Sequence, residues 1–115
     1  MKNAYAYVLD TLADWELGYV MAELNSGQYF KNAGERIPVK TVGATKDSIR
    51  TKGGLTIVPD TTPDEITADT SAVLLLPGAD TWNDSRHNLI IEKARHLLNS
   101  GATVAAICGS TSALA

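Results

Sequence analysis

Short continuous apolar runs alternate along this chain with segments of helical spacing, and that alternation predicts an α/β fold. Ala4 to Leu9 ends in Asp10 and reads as a first strand. Asp14 then opens a helix running through Leu24 and closed by Gly27, with Trp15, Val20, Met21 and Leu24 as its apolar face. Ile37 to Val42 reads as a second strand, and Ser48 to Val58 alternates around Gly53-Gly54 as an antiparallel excursion closed by Pro59-Asp60. Thr62-Pro63-Asp64-Glu65 carries a one-turn helix start. Ser71 to Leu76 is continuous and β-compatible, the pattern of a strand covered on both faces in a parallel sheet. Pro77-Gly78-Ala79-Asp80 breaks that strand, a helix with apolar Leu89, Ile90, Leu97 and Leu98 follows, and Ser100-Gly101 leads into a buried strand from Thr103 to Ile107. Strand, crossover helix and strand make a βαβ unit, expected to be right-handed.

Composition narrows the function classes. With 115 residues and no repeat, low-complexity tract or linker, residues 1–115 read as one small domain with one core. A net charge of -3 without a basic stripe argues against nucleic acid and against an anionic membrane as partners. The single cysteine cannot form an internal disulfide, and no run of these residues has the pattern of a signal peptide or a bilayer span, so cytoplasm is the expected location.

That cysteine, Cys108, stands where the apolar run Ala105-Ala106-Ile107 turns into the small-residue segment Gly109-Ser110-Thr111-Ser112-Ala113-Leu114. Such a strand-to-helix turn is the arrangement of a nucleophile elbow, in which a helix N-terminus favours thiolate over thiol. A small, packed core cysteine is the plainer alternative. Gly109 speaks for the elbow, because it removes bulk beside the sulfur at a cost to the helix. Two loops would then leave the carboxyl ends of parallel strands, Pro77-Gly78-Ala79-Asp80 and Cys108-Gly109-Ser110, and ligands of open α/β sheets bind at that edge. A glycine in the first loop admits close backbone approach, although a simple turn glycine after proline explains Gly78 equally well on its own. Paired, the loops could supply two amide donors for an oxyanion.

Three segments together, Leu74-Leu75-Leu76-Pro77-Gly78-Ala79-Asp80-Thr81-Trp82, Val104 to Ala115 around Cys108, and Leu12-Ala13-Asp14-Trp15-Glu16, resemble the ThiJ/PfpI family. That family belongs to the class I glutamine amidotransferase-like superfamily, and its relatives include a parkinsonism-associated deglycase and intracellular cysteine peptidases. The resemblance covers the whole chain and implies a flavodoxin-like three-layer sandwich with a mostly parallel sheet. It implies Cys108 as nucleophile, Glu16 as the acid hydrogen-bonded to its sulfur, and the amides of Ala79 and Gly109 as oxyanion donors, with Gly78 shaping the loop. Read without the family, Glu16 is an ordinary solvated carboxylate on a first helical turn. Ala79 stands where many relatives have a second glycine, which keeps the amide and restricts the loop.

The resemblance also sets expectations about what the residues lack. Relatives place a histidine in a loop well after the elbow, whereas His87 and His96 precede it and are expected on the surface; their spacing of nine does not put two metal ligands on one helical face, so no metal and no cofactor are expected. Ser110 to Ala115 begins a helix with no stop signal. The chain is therefore expected to be the amino-terminal portion of a domain that is incomplete at its carboxyl end, whose carboxyl-terminal remainder is a partner and supplies the histidine. A homodimer and a stress-response setting are further expectations of the resemblance. The implied activity is attack of Cys108 on a carbonyl or amide group of a small molecule or a protein adduct; the alternative is a non-catalytic redox sensor working through oxidation of Cys108.

Overall fold

The computed structural model describes residues 2–32 and 34–107. Four strands, β1 (Asn3–Tyr7), β2 (Val39–Val42), β5 (Ser71–Leu76) and β6 (Thr103–Ala106), form one parallel sheet in the order β2-β1-β5-β6. Between β2 and β5 the chain makes a small antiparallel hairpin of β3 (Ile49–Arg50) and β4 (Thr56–Ile57), then a short 3-10 turn at Pro63–Glu65. Helix α1 (Asp14–Ser26) connects β1 to β2, and helix α2 (Asn88–Asn99), entered through a 3-10 turn at Ser85–His87, connects β5 to β6. This is the α/β architecture that the apolar pattern predicts. Strand β2 starts at Val39, after Pro38, and not at Ile37.

Period-two alternation in the strands separates two apolar layers. Ala6 and Leu75 pack with Leu17, Val20, Met21 and Leu24 of α1, while Tyr5, Tyr7, Leu74 and Leu76 pack with Ile90, Ala94 and Leu97 of α2. The first helix therefore seats Leu17, Val20, Met21 and Leu24 at i, i+3, i+4 and i+7, and Trp15, expected on that face, is 70% exposed. Two positions of a helix are about 200° apart, so Leu17 and Trp15 cannot share a face. In α2 the same correction applies: Leu89 is 60% exposed and Leu98 is also exposed, because Ile90, Ala94 and Leu97 occupy the row that meets the sheet. Leu74 and Leu76 are fully buried in this layer, so truncating either to alanine costs about 2–5 kcal/mol.

Strand β6 differs from expectation in its burial. Val104 and Ala106 face α2 and are half-buried, whereas Thr103 and Ala105 are exposed on the other face. The reason is register: α1 packs over β1 and β2, two strands away. Helix α1 itself ends as its sequence predicts. Gly27 adopts φ 65, its N–H donates to the Glu23 carbonyl, and a Cβ there would lie 1.8 Å from the Glu35 oxygen.

His87 is the clearest departure from the sequence reading. It is 2% exposed, and its Nδ1 lies 2.7 Å from the Tyr7 hydroxyl at the centre of a Tyr7-Trp82-His87 cluster with ring centroids 5.5–5.6 Å apart. Expected at the surface, it instead forms the junction between β1 and the entry to α2; His96 is exposed, as expected. Burial pushes the Tyr7 phenol up, so it keeps its proton and donates it to Nδ1. The imidazole proton then sits on Nε2, facing the Thr81 hydroxyl at 3.4 Å, and Thr81 donates onward to the Asp10 carbonyl at 2.9 Å.

Burial likewise pushes the His87 imidazole below its ordinary value of 6.5, with Asp84 partly opposing. The unfolded chain therefore takes up a proton that the folded chain refuses, and stability falls as pH drops below about 6.5 until the folded imidazole itself protonates. Urea unfolding between pH 7.5 and 5 is expected to show this loss, and His87→Asn, whose oxygen can still accept from Tyr7, is expected to remove the histidine part of the slope. An unchanged slope in the variant would contradict a buried, neutral His87.

Candidate functional site

Strand order places the site. The chain passes from β1 to β2 on one side and then returns past β1 to β5 on the other, so the switch point of the sheet, where ligands of open α/β sheets bind, lies between the carboxyl ends of β1 and β5. Two segments border it: Val8 to Glu16 after β1, and Pro77 to Thr81 after β5.

The first segment grips the second through a set of hydrogen bonds. Glu16, half-buried in the first turn of α1, accepts from the Gly78 amide at 2.7 Å, and the Ala13 amide donates to the Gly78 carbonyl at 2.9 Å. The Asp80 amide donates to the Thr11 hydroxyl at 2.8 Å, and the Trp82 indole donates to the Pro77 carbonyl at 2.9 Å. Both neighbours of Ala79 thus have their amides occupied by side chains. Among the described residues the half-buried Ala79 amide has no partner. Gly78 is buried and is not among the residues with positive φ, so a left-handed backbone is not what requires glycine there.

The hairpin closes the same edge from above α1. Asp14 accepts from the Thr51 hydroxyl at 2.5 Å and from the Gly53 amide at 2.8 Å, and the Thr51 bond in particular holds its carboxyl below the usual range. A Cβ on Gly53 would come within 2.9 Å of both carboxylate oxygens, which is why glycine suits the hairpin tip. The Lys52 amide donates to the Leu12 carbonyl, and its ammonium pairs with Asp80 at 3.0 Å on the exposed rim. Thr11 sits at the meeting point with φ 70. For a β-branched residue that conformation costs on the order of 1–3 kcal/mol, sustained only by surroundings that over-determine it.

Of the residues named from sequence, Glu16, Gly78 and Ala79 are brought together here. Cys108 and Gly109 lie outside the described residues. What the described chain does provide is the approach to them: β6 runs parallel to β5, Ala106 is paired with Leu76, and the Ile107 amide donates to the Leu76 carbonyl at 3.0 Å, immediately before the Pro77 loop. Among the described residues no group of three or more His, Cys, Asp or Glu could hold a metal ion, and no helix is long and apolar enough to cross a membrane. A separate cleft of about 270 Å³ opens on the other layer of the carboxyl edge, lined by Asp10, Ser48, Thr81, Asp84, Arg86 and His87 among others. It contains none of Glu16, Gly78 or Ala79.

A family model described as DJ-1/PfpI matches residues 2–115. The chain belongs to the DJ-1/PfpI family. The chain is 46% identical over 114 residues to a Bacillus subtilis protein named uncharacterized protease YoaZ, covering 99% of this chain and 54% of that one. A solved ThiJ/PfpI family protein from Bacillus anthracis is 50% identical with a TM-score of 0.93, over 99% of this chain and 54% of that chain. A DJ-1 superfamily protein from Agrobacterium tumefaciens, 22% identical over 99% of this chain and 57% of that chain with a TM-score of 0.79, shares the fold. This DJ-1/PfpI chain spans about half the length of the relatives it matches. Membership carries the α/β fold expected from the motifs, and the name protease belongs to the Bacillus subtilis relative.

Sequence reasoning missed Thr11, Trp82 and the Tyr7-His87 pair as parts of this edge. Trp82 carried a usable signal, an indole five residues past a strand-ending proline, because a buried indole N–H needs an acceptor. Removing the Glu16 acceptor leaves the buried Gly78 amide unsatisfied, so Glu16→Ala is expected to lose roughly 1–3 kcal/mol in urea unfolding, and Glu16→Gln, which can still accept, distinctly less. Equal stability of Glu16→Ala and the parent protein would show that the carboxylate does not hold the loop.

Proposed function

We propose that this protein is a cysteine-dependent hydrolase of the ThiJ/PfpI type, acting on a carbonyl or amide group of a small molecule or a modified protein. The observation that carries the reading is the Pro77–Asp80 loop, clamped on both sides of an amide that has no partner among the described residues, at the sheet edge where β6 ends, two positions before Cys108 in the chain. Cys108 is the nucleophile in this reading. Its thiolate adds to the substrate carbonyl carbon, the carbonyl π electrons move onto oxygen, and the Ala79 and Gly109 amides stabilise the oxyanion. Glu16 takes the thiol proton or orients the thiol, and the proton goes to the departing amine or alcohol as the carbon–leaving-group bond breaks. Water then cleaves the thioester and regenerates the thiol, so the net reaction consumes one water.

Turnover of p-nitrophenyl acetate and of small amides by the purified protein tests the reading. Cys108→Ala is expected to abolish the activity, and Glu16→Gln to lower kcat by about a hundredfold, within the range of a positioned acid or base. Cys108→Ala with parental turnover would overturn the proposal. No turnover together with rapid oxidation of Cys108 by peroxide would replace it with the redox-sensor reading.

A further inference from the structure

We propose that Thr11 is a positioning residue for the candidate site, whose hydroxyl holds the peptide that follows Ala79 and so limits the movement of the loop that carries the Ala79 amide. The inference rests on the hydrolase reading above. Thr11 is the one described non-glycine residue with positive φ, and it is β-branched, the side-chain type least suited to that conformation. Strain of this kind persists where surrounding contacts hold it, and here they come from three segments at once. Its amide donates to the Arg50 carbonyl of the hairpin at 2.8 Å, and its hydroxyl accepts from the Asp80 amide at 2.8 Å. Leu12, next in the chain, accepts from Lys52 and donates to the Leu9 carbonyl.

Glycine would meet the backbone requirement without strain, so conformation alone does not explain threonine. What glycine cannot supply is the hydroxyl. The plane that carries the Ala79 N–H is the Gly78–Ala79 peptide, whose carbonyl accepts from the Ala13 amide; Glu16 holds the peptide before it and the Thr11 hydroxyl holds the peptide after it. With the Asp80 tether gone, the carboxyl side of the loop is no longer held, and the donor shifts relative to the position where charge develops in the transition state. Thr11 itself touches no reacting atom.

The test compares Thr11→Gly, Thr11→Ser and the parent protein in three measurements: urea midpoint, amide hydrogen exchange at Asp80, and kcat and KM for p-nitrophenyl acetate. Thr11→Gly is expected to be at least as stable as the parent, to lose protection at the Asp80 amide, and to drop kcat about tenfold with KM unchanged, the pattern of an interaction felt only in the transition state. Thr11→Ser, which keeps the hydroxyl, is expected to restore both protection and kcat. A Thr11→Gly protein with parental kcat overturns the proposal, as does one that slows while Asp80 stays protected. Absence of turnover in the parent overturns the hydrolase reading and this proposal with it, whereas parental turnover unaffected by Thr11→Gly overturns this proposal alone.

Discussion

The hydrogen bond from the Gly78 amide to Glu16 is the contact on which the carboxyl edge of this protein depends. It joins the first turn of α1 to the loop after β5, two segments that are far apart in sequence and adjacent only because β1 and β5 are neighbours in the sheet. A short bond from a backbone amide to a carboxyl oxygen has little freedom of direction. Ala13, Thr11 and Trp82 then hold the Gly78 carbonyl, the Asp80 amide and the Pro77 carbonyl, so the loop is tied on both sides of the Ala79 amide. That matters because a donor stabilises a developing charge most when it needs no reorganisation at the moment of reaction.

The two apolar layers give that edge its two characters. On the α1 side, Glu16 and the Pro77–Asp80 loop lie above Leu17 and Leu75. On the α2 side, Tyr7, Trp82 and His87 fill the space above Leu76 and Ile90 and send a chain of hydrogen bonds through Thr81 to Asp10. Trp82 belongs to both, packing against Tyr7 while its indole N–H reaches the Pro77 carbonyl. His87 is thereby committed to the structural layer.

Much of this was legible in the sequence, and the limits were physical. Strands β1 and β5, helix α1 with its Gly27 stop, and the Gly53-Gly54 hairpin were readable because apolar period, capping and turn chemistry are local. The Pro77–Asp80 loop with Gly78 was readable from the strand end that it breaks, whereas Glu16 and the part of the Ala79 amide were readable only through the family motif, since nothing local distinguishes Glu16 from a solvated carboxylate. Helix faces were read a position or two out at Trp15, Leu89 and Leu98, where apolar residues flank the buried row. Tyr7 and His87 meet across 80 positions, a pairing no local period encodes. Thr11 could not be foreseen at all, because its residue type argues against the backbone conformation it adopts.

The central claim is that the clamped loop presents the Ala79 amide to an oxyanion formed at Cys108. The most direct measurement is a crystal structure of the protein trapped with a peptide aldehyde, which adds to a nucleophilic thiol as a tetrahedral hemithioacetal. The account predicts the adduct on Cys108 with its oxygen about 2.7–3.1 Å from the Ala79 nitrogen and the Glu16 contact to Gly78 intact. An adduct whose oxygen points away from Ala79, or a Cys108 that forms none, would contradict it.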